Sequence, residues 1–190
     1  MSSAPPPLPA TAFVTALARI SLVLAVMGLA WAMVQMVAAL LLPDTAVEWL
    51  AARPELPGLA WTLQHRQALS LATLLLALLF LAAAWGLLRR HEWARWTFIA
   101  LLLAGAAANF AGLALVGPFF DGIVGIYPAQ LLDTPDGRQF VAQMHFNRQA
   151  TFATSLVAAL VLAGLHGWIA WKLCTPAVQA EFDRPAAGQG

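Results

Sequence analysis

Cysteine and lysine each occur once in this 190-residue chain, as Cys174 and Lys172, and charged residues of all kinds make up only 10% of it. A single cysteine excludes an internal disulfide, and with it a disulfide-stapled fold or a dithiol redox pair. Ordinary soluble domains carry about 25% charged residues, so there is too little charge here to clothe a water-exposed surface. What fills the gap is apolar: 61% of the residues are hydrophobic. A fold of this size has no interior large enough for that surplus, and the alternative solvent is lipid.

Four stretches contain no Asp, Glu, Lys or Arg: Ile20–Pro43, Gln67–Leu88, Trp96–Phe120 and Gln149–Trp171. Each exceeds the roughly 20 residues that a helix needs to cross a hydrocarbon core of about 30 Å. Within lipid the backbone must satisfy its own hydrogen bonds, so such runs become helices. The sequence therefore predicts an all-α integral membrane protein, a four-span helix bundle over residues 10–176. Its spans fall at about 18–43, 66–89, 95–118 and 148–173, with outward loops 44–65 and 119–147. Residues 1–9, "MSSAPPPLP", read as a disordered Pro-rich tail and 177–190 as a cytoplasmic tail. No basic residue precedes Arg19, and the first run is longer than a signal-peptide core, so span one is expected to be a retained helix.

Short loops rich in Arg stay in the cytoplasm. "RRHEWAR" (89–95) carries three Arg in seven residues, which puts both termini on the cytoplasmic side as well. The inward segments hold six basic residues (Arg19, Arg89, Arg90, Arg95, Lys172, Arg184) and the outward loops four (Arg53, Arg66, Arg138, Arg148), the latter diluted by six carboxylates. Arg-for-Lys usage with abundant Ala suggests a bacterial genome rich in GC, hence a bacterial inner membrane. Trp93, Trp96, Trp168 and Trp171 flank the inner ends of spans three and four, and Trp49 and Trp61 fall in the first outer loop, as expected of headgroup-level belts.

Landmarks recur through the two halves. Ala18-Arg19 leads over 24 residues to Pro43, and Ala94-Arg95 over 23 to Pro118. Each Pro precedes an outward loop, then Arg-Gln-Ala (66–68 and 148–150), then Ala-Thr (72–73 and 153–154). Two parallel-repeat two-span hairpins account for this order, related by an axis along the membrane normal. Pro57 and Pro135 offer starts for the second and fourth helices, the latter with Thr134 as N-cap. The fourth helix would then stand on the order of 20 Å beyond Arg148. Its apolar stripe of Phe140, Val141 and Met144 needs a partner, for which "TAVEWLAAR" (45–53), a short amphipathic helix capped by Asp44, is the candidate. Together the two loops are expected to build a small outward cap.

Helices in lipid associate through close packing and polar contacts. Ala104, Ala108 and Gly112 in span three, and Ala159, Ala163 and Gly167 in span four, form two small-residue seams where tight packing is expected. Gln35 and Asn109 are polar at membrane depth, and are expected either to hydrogen-bond between helices or to line a route for a solute. His166, near the inner end of span four, reads as structural, although Arg19 or Arg95 could approach it.

The outward ends of spans two and four carry His65-Arg66 and His145 with Arg148. The four form a basic collar, which anchors helices by snorkelling or grips lipid phosphate or another anion. His65 and His145 are also candidates to ligate haem, and with Met33, Met36 and Met144 they offer soft ligands for copper. No cofactor is expected, because no recurring ligand spacing accompanies them. Nor is an enzyme: the chain has no Gly-rich phosphate loop, His-Glu-x-x-His or Ser–His–Asp order, and its spans hold no carboxylate for proton relay. Claudin-like proteins share the four-span outline, but their paired loop cysteines are impossible with Cys174 alone. The missing Cys-x-x-Cys likewise excludes vitamin K epoxide reductase-like proteins.

The expected function is accessory: a non-catalytic membrane protein that binds lipid or a partner subunit. The alternatives are a subunit of an oligomeric pore or transporter, with Gln35 and Asn109 along the route, and a haem- or metal-binding redox protein. Partners are membrane lipids and another membrane protein or a second copy of the chain. Nucleic acid is not among the expected partners, although a net charge of +1 by itself argues neither for nor against it.

Overall fold

The computed structural model of the protein describes residues 9–51 and 57–183. Helices follow one another as α1 (Pro9–Leu41), α2 (Asp44–Ala51), α3 (Pro57–Gln64), α4 (Arg66–Leu88), α5 (Glu92–Leu113), α6 (Val116–Gly125), α7 (Ala129–Leu132), α8 (Pro135–Leu173) and α9 (Pro176–Phe182). Four stretches are long and apolar enough to cross a membrane: Ala12–Leu41, Arg66–Leu88, Glu92–Gly125 and Pro135–Leu173. The chain is an all-α, four-span membrane protein. Large apolar side chains on these helices are exposed in the protein alone, among them Val23, Met27, Trp31, Leu75, Leu103, Val157 and Val161, as lipid-facing residues should be.

Span lengths differ from expectation at several ends. α1 begins at Pro9 rather than near residue 18, and nearly all of the expected tail 1–9 lies outside the described residues. The third stretch runs past Pro118 because the helix resumes as α6. Proline has no N–H for the carbonyl four residues back, here Ala114, and its ring crowds that carbonyl. The break falls accordingly at Ala114–Leu115, where tighter bonds from Ala114 N to Ala111 O and Leu115 N to Gly112 O take over. α8 starts at Pro135 as expected: Thr134 Oγ1 accepts the Gly137 N–H at 3.1 Å.

The chain divides into two compact units. Of the described residues, the first comprises 9–38, 70–104 and 165–183; the second comprises 39–51, 57–69 and 105–164.

The first unit holds the main apolar core. Val14 and Ala18 of α1, Ala83 and Leu87 of α4, Ala94, Phe98 and Ile99 of α5, Ala170 and Leu173 of α8, and Val178 and Phe182 of α9 are buried together. Phe80 and Phe98 stack with ring centres 5.6 Å apart. The expected tail after 176 is therefore partly core. Pro176 opens α9, in whose first turn the Val178 and Gln179 N–H groups donate to the Thr175 carbonyl, and Val178 and Phe182, four residues apart, face the same way.

The turn between α4 and α5 closes this unit. His91 N bonds Gly86 O at 2.9 Å and Arg90 N bonds Leu87 O at 3.1 Å, the paired bonds of a Schellman motif. The left-handed residue of that motif is usually Gly, yet here it is Arg90, with φ +60°. A side chain at this position is explained by its contacts. Arg90 pairs with Glu181 of α9 at 3.2 Å and donates to Thr15 Oγ1 of α1 at 2.9 Å. Burial pushes its guanidinium pKa below the usual arginine range, and Glu181 pulls the other way. Arg95 is only 4% exposed. It forks onto the Glu92 carboxylate, donates to the Leu173 carbonyl at 3.2 Å and lies over the Trp96 and Phe182 rings.

Gly86 permits the close approach of α4 to α5. A Cβ there would stand 2.5 Å from Ala94 Cβ and 3.0 Å from Trp93 Cζ2. Gly86→Ala should therefore destabilise the fold by about 1–3 kcal/mol despite the better helix propensity of alanine. Thermal unfolding in detergent micelles reads the effect, and an unaltered midpoint would contradict the packing described.

Small residues appear where the sequence did not single them out. Along α1, Ala18, Ala25, Ala32 and Ala39 recur every seventh residue, and all four are buried, with Ser21 beside them. The seams expected in spans three and four are open at their glycines: a Cβ at Gly112 or Gly167 would meet nothing within 4 Å. Tight helix packing is thus carried by the alanines of α1 and by Gly86; of the two expected seams Ala159 is buried, at 3%, while Gly112 and Gly167 are open.

Candidate functional site

The second unit contains both arginines of the expected collar, in different surroundings. Arg66 stands at the start of α4. Its Nε donates to Ala39 O at 3.1 Å, Nη1 to Leu63 O at 3.3 Å, and Nη2 to Leu42 O at 3.3 Å and Asp44 Oδ1 at 2.6 Å. The last carbonyls of α1 have no intrahelical donors, and Arg66 supplies them. Asp44 is the first residue of α2, and its carboxylate takes Arg66 instead of capping the helix N-terminus.

Arg148, within α8, has a lighter set of partners. Nη1 donates to Asp121 Oδ1 of α6 at 2.9 Å, and both side chains are partly open, at 42% and 63%. The other terminal nitrogen lies against the α6 backbone at Gly117, where an added Cβ would come within 3.0 Å of Nη2. Behind the guanidinium opens a cavity of about 420 Å³, walled by Leu113, Val116, Gly117, Pro118 and Phe152. Leu113 and Val116 also border a second cavity of about 320 Å³, which reaches Asn109, Gly112, Ser155 and Ala159. Through Ala158 and Leu162 that one adjoins a third of about 630 Å³ along Val157 and Val161. The first two share walls and lie between α5–α6 and α8; the third continues from them as an open depression on α8 itself, and together they make one groove along α8. The interruption of the helix at Ala114–Leu115 gives the groove its wide end.

The remaining sequence candidates are dispersed. His65 stacks on Trp61, ring centres 4.8 Å apart, with Nδ1 2.9 Å from the Trp61 carbonyl. His145 is exposed and borders a cleft of about 10 Å³ with Phe120, Asp121, Val124, Met144 and Arg148. On α1, Met33 is exposed and Met36 half-buried. Among the described residues, no three or more His, Cys, Asp or Glu side chains gather as a metal-binding group. Gln35 is half-buried, and neither it nor Asn109 makes the interhelical hydrogen bond expected of it; Asn109 lies on the groove instead. His166 keeps Nδ1 buried without a hydrogen-bond partner, and neither Arg19 nor Arg95 reaches it. Among the described residues the apolar stripe on α8 meets partners in its own hairpin, while most apolar side chains of α2 lie outside the described residues. Tyr127 meets Phe140 at 4.9 Å, and Met144 borders the cleft with Phe120 and Val124.

Asp121, Gly117, Gln149 and Phe152 were missed by the sequence reading. One signal for Asp121 was available: an Asp follows the Pro that ends each odd-numbered span, one residue after Pro43 and three after Pro118. No family model, curated protein or solved structure matches the chain.

Proposed function

We propose that the protein is a non-catalytic, lipid-binding membrane protein whose α5–α6/α8 groove holds a phospholipid, with an acyl chain along the groove and the phosphate at Arg148. The observation that carries this is the continuous apolar groove with one incompletely engaged guanidinium at its mouth. From Arg148 to Leu162 the groove follows α8 for about 21 Å at 1.5 Å per residue, enough to cover one leaflet of about 15 Å. Its cavities fall within the roughly 300–1,000 Å³ of ligand sites. Arg148 also sits where the charge-free run of α8 begins, the level of lipid phosphates.

An inner bacterial membrane with the α4–α5 turn in the cytoplasm fits this reading. Its support is charge pairing. Outward, Arg66 and Arg148 are each offset by an Asp and Arg138 has no ion pair among the described residues; inward, Arg90 and Arg95 are paired with Glu181 and Glu92, while three cations, Arg19, Arg89 and Lys172, have none. Arg89 and Lys172 lie instead over the rings of Trp85 and Phe13. The duplication of a hairpin is supported by the recurrence of Arg66 with Asp44 and Arg148 with Asp121.

The test is native mass spectrometry of the purified full chain. Gly112→Leu fills the groove where a new side chain meets no neighbour. It should lower retained phospholipid about tenfold, the effect of losing roughly 1.4 kcal/mol of binding, while the unfolding midpoint holds. A lipid-free wild-type chain, or a lipid-free dimer, would replace this reading with self-association.

A further inference from the structure

Resting on that reading, we infer that the mouth of the groove recognises a zwitterionic phospholipid bearing a primary ammonium, as in phosphatidylethanolamine. Arg148 takes the phosphate and Asp121 takes the ammonium.

The two charges stand side by side at one end of the groove, joined by a single bond of 2.9 Å from Nη1. The guanidinium has five N–H donors and only this one partner among the side chains of the described residues; its Nη2 edge faces the cavity wall at Gly117. Asp121 gives one oxygen to Arg148, and its Oδ2 has no partner among the described residues. A planar fork with donors to spare suits phosphate, and a carboxylate oxygen with open lone pairs suits an N–H-bearing cation. Partial exposure of both groups keeps the pair within a ligand's reach without breaking a buried salt bridge.

The sign of the site excludes other headgroups. A lipid whose headgroup is only negative satisfies Arg148 but meets the Asp121 carboxylate, at a like-charge cost. A quaternary ammonium has no N–H to donate to Oδ2. The second arginine–aspartate pair provides an internal comparison. Arg66 is engaged by three carbonyls besides Asp44 and borders none of the groove's cavities, so Asp44 neighbours no free donor edge.

The experiment mixes the full chain in micelles with equal amounts of ethanolamine, choline and glycerol phospholipids of matched acyl chains, and counts bound species by native mass spectrometry. The wild-type chain should hold the ethanolamine lipid about tenfold over the glycerol lipid, the scale of one charge-assisted hydrogen bond. Asp121→Asn should bring that ratio to about one, chiefly by losing the ethanolamine lipid, whereas Asp44→Asn should leave the wild-type ratio. Equal retention of all three headgroups by the wild-type chain, or an unaltered ratio in Asp121→Asn, overturns the headgroup assignment while leaving the groove as a lipid site. Absence of any bound lipid, or binding that Gly112→Leu does not reduce, overturns the groove and the assignment together.

Discussion

Replacing Arg90 by alanine should destabilise the protein by about 3–5 kcal/mol, among the largest effects of any single substitution in the chain. The reason lies in what remains. Glu181 is almost wholly buried and pairs with Arg90; losing the arginine removes a compensating charge from a carboxylate held away from water. The converse change is milder. In Glu181→Gln, Arg90 keeps its bond to Thr15, and its more exposed guanidinium turns toward solvent. A third variant separates side chain from backbone. Arg90→Gly loses the same ion pair but fits φ +60° without strain, so it should exceed Arg90→Ala in stability by about 1 kcal/mol. Unfolding midpoints in one detergent should rank Glu181→Gln, Arg90→Gly and Arg90→Ala from most to least stable. If Arg90→Ala unfolds like the wild-type chain, the pair has no part in closing this end of the fold.

The second large effect belongs to Phe182, in a segment that looks like an expendable tail. Phe182→Ala should cost about 3–5 kcal/mol, as for other buried aromatics. α9 lies beyond the last charge-free run, so the hydrophobic effect acts on it in full, unlike on residues that face lipid. Phe182 also carries the Arg95 guanidinium on its ring, and its loss loosens the hold on the end of α8, where Arg95 meets the Leu173 carbonyl. The accompanying sign is accelerated proteolysis after Thr175. A variant that retains both its midpoint and its protease resistance would mean that α9 stands apart from the core.

The spans were legible because lipid imposes one blunt requirement, about 20 uncharged residues, and four runs meet it. Pro135 with Thr134 was legible too, since a cap and a first-turn proline act locally. The partners of the two collar arginines were not. Arg66-Gln67-Ala68 and Arg148-Gln149-Ala150 are the same tripeptide, and no local rule separates them. Tertiary placement does: one arginine sits on the C-terminal end of α1 and the other faces the interrupted α5–α6 helix. α9 was partly written in Pro176, Val178 and Phe182, but seven residues are too few for periodicity to stand out. Nor could the seams be ranked by composition. Alanine is frequent in every span, so burial alone distinguishes the α1 set from Gly112 and Gly167.

That α1 set has a geometric consequence. Seven residues fall short of two full turns of a 3.6-residue helix by about 20°, so a line through Ala18, Ala25, Ala32 and Ala39 slips by about 60° over its length. The slip is left-handed. Whatever lies along this line must wind around α1 in the same sense, and methyl-sized side chains set its distance at every step. The handedness of this contact is thus encoded in the interval between alanines, before any larger side chain is considered.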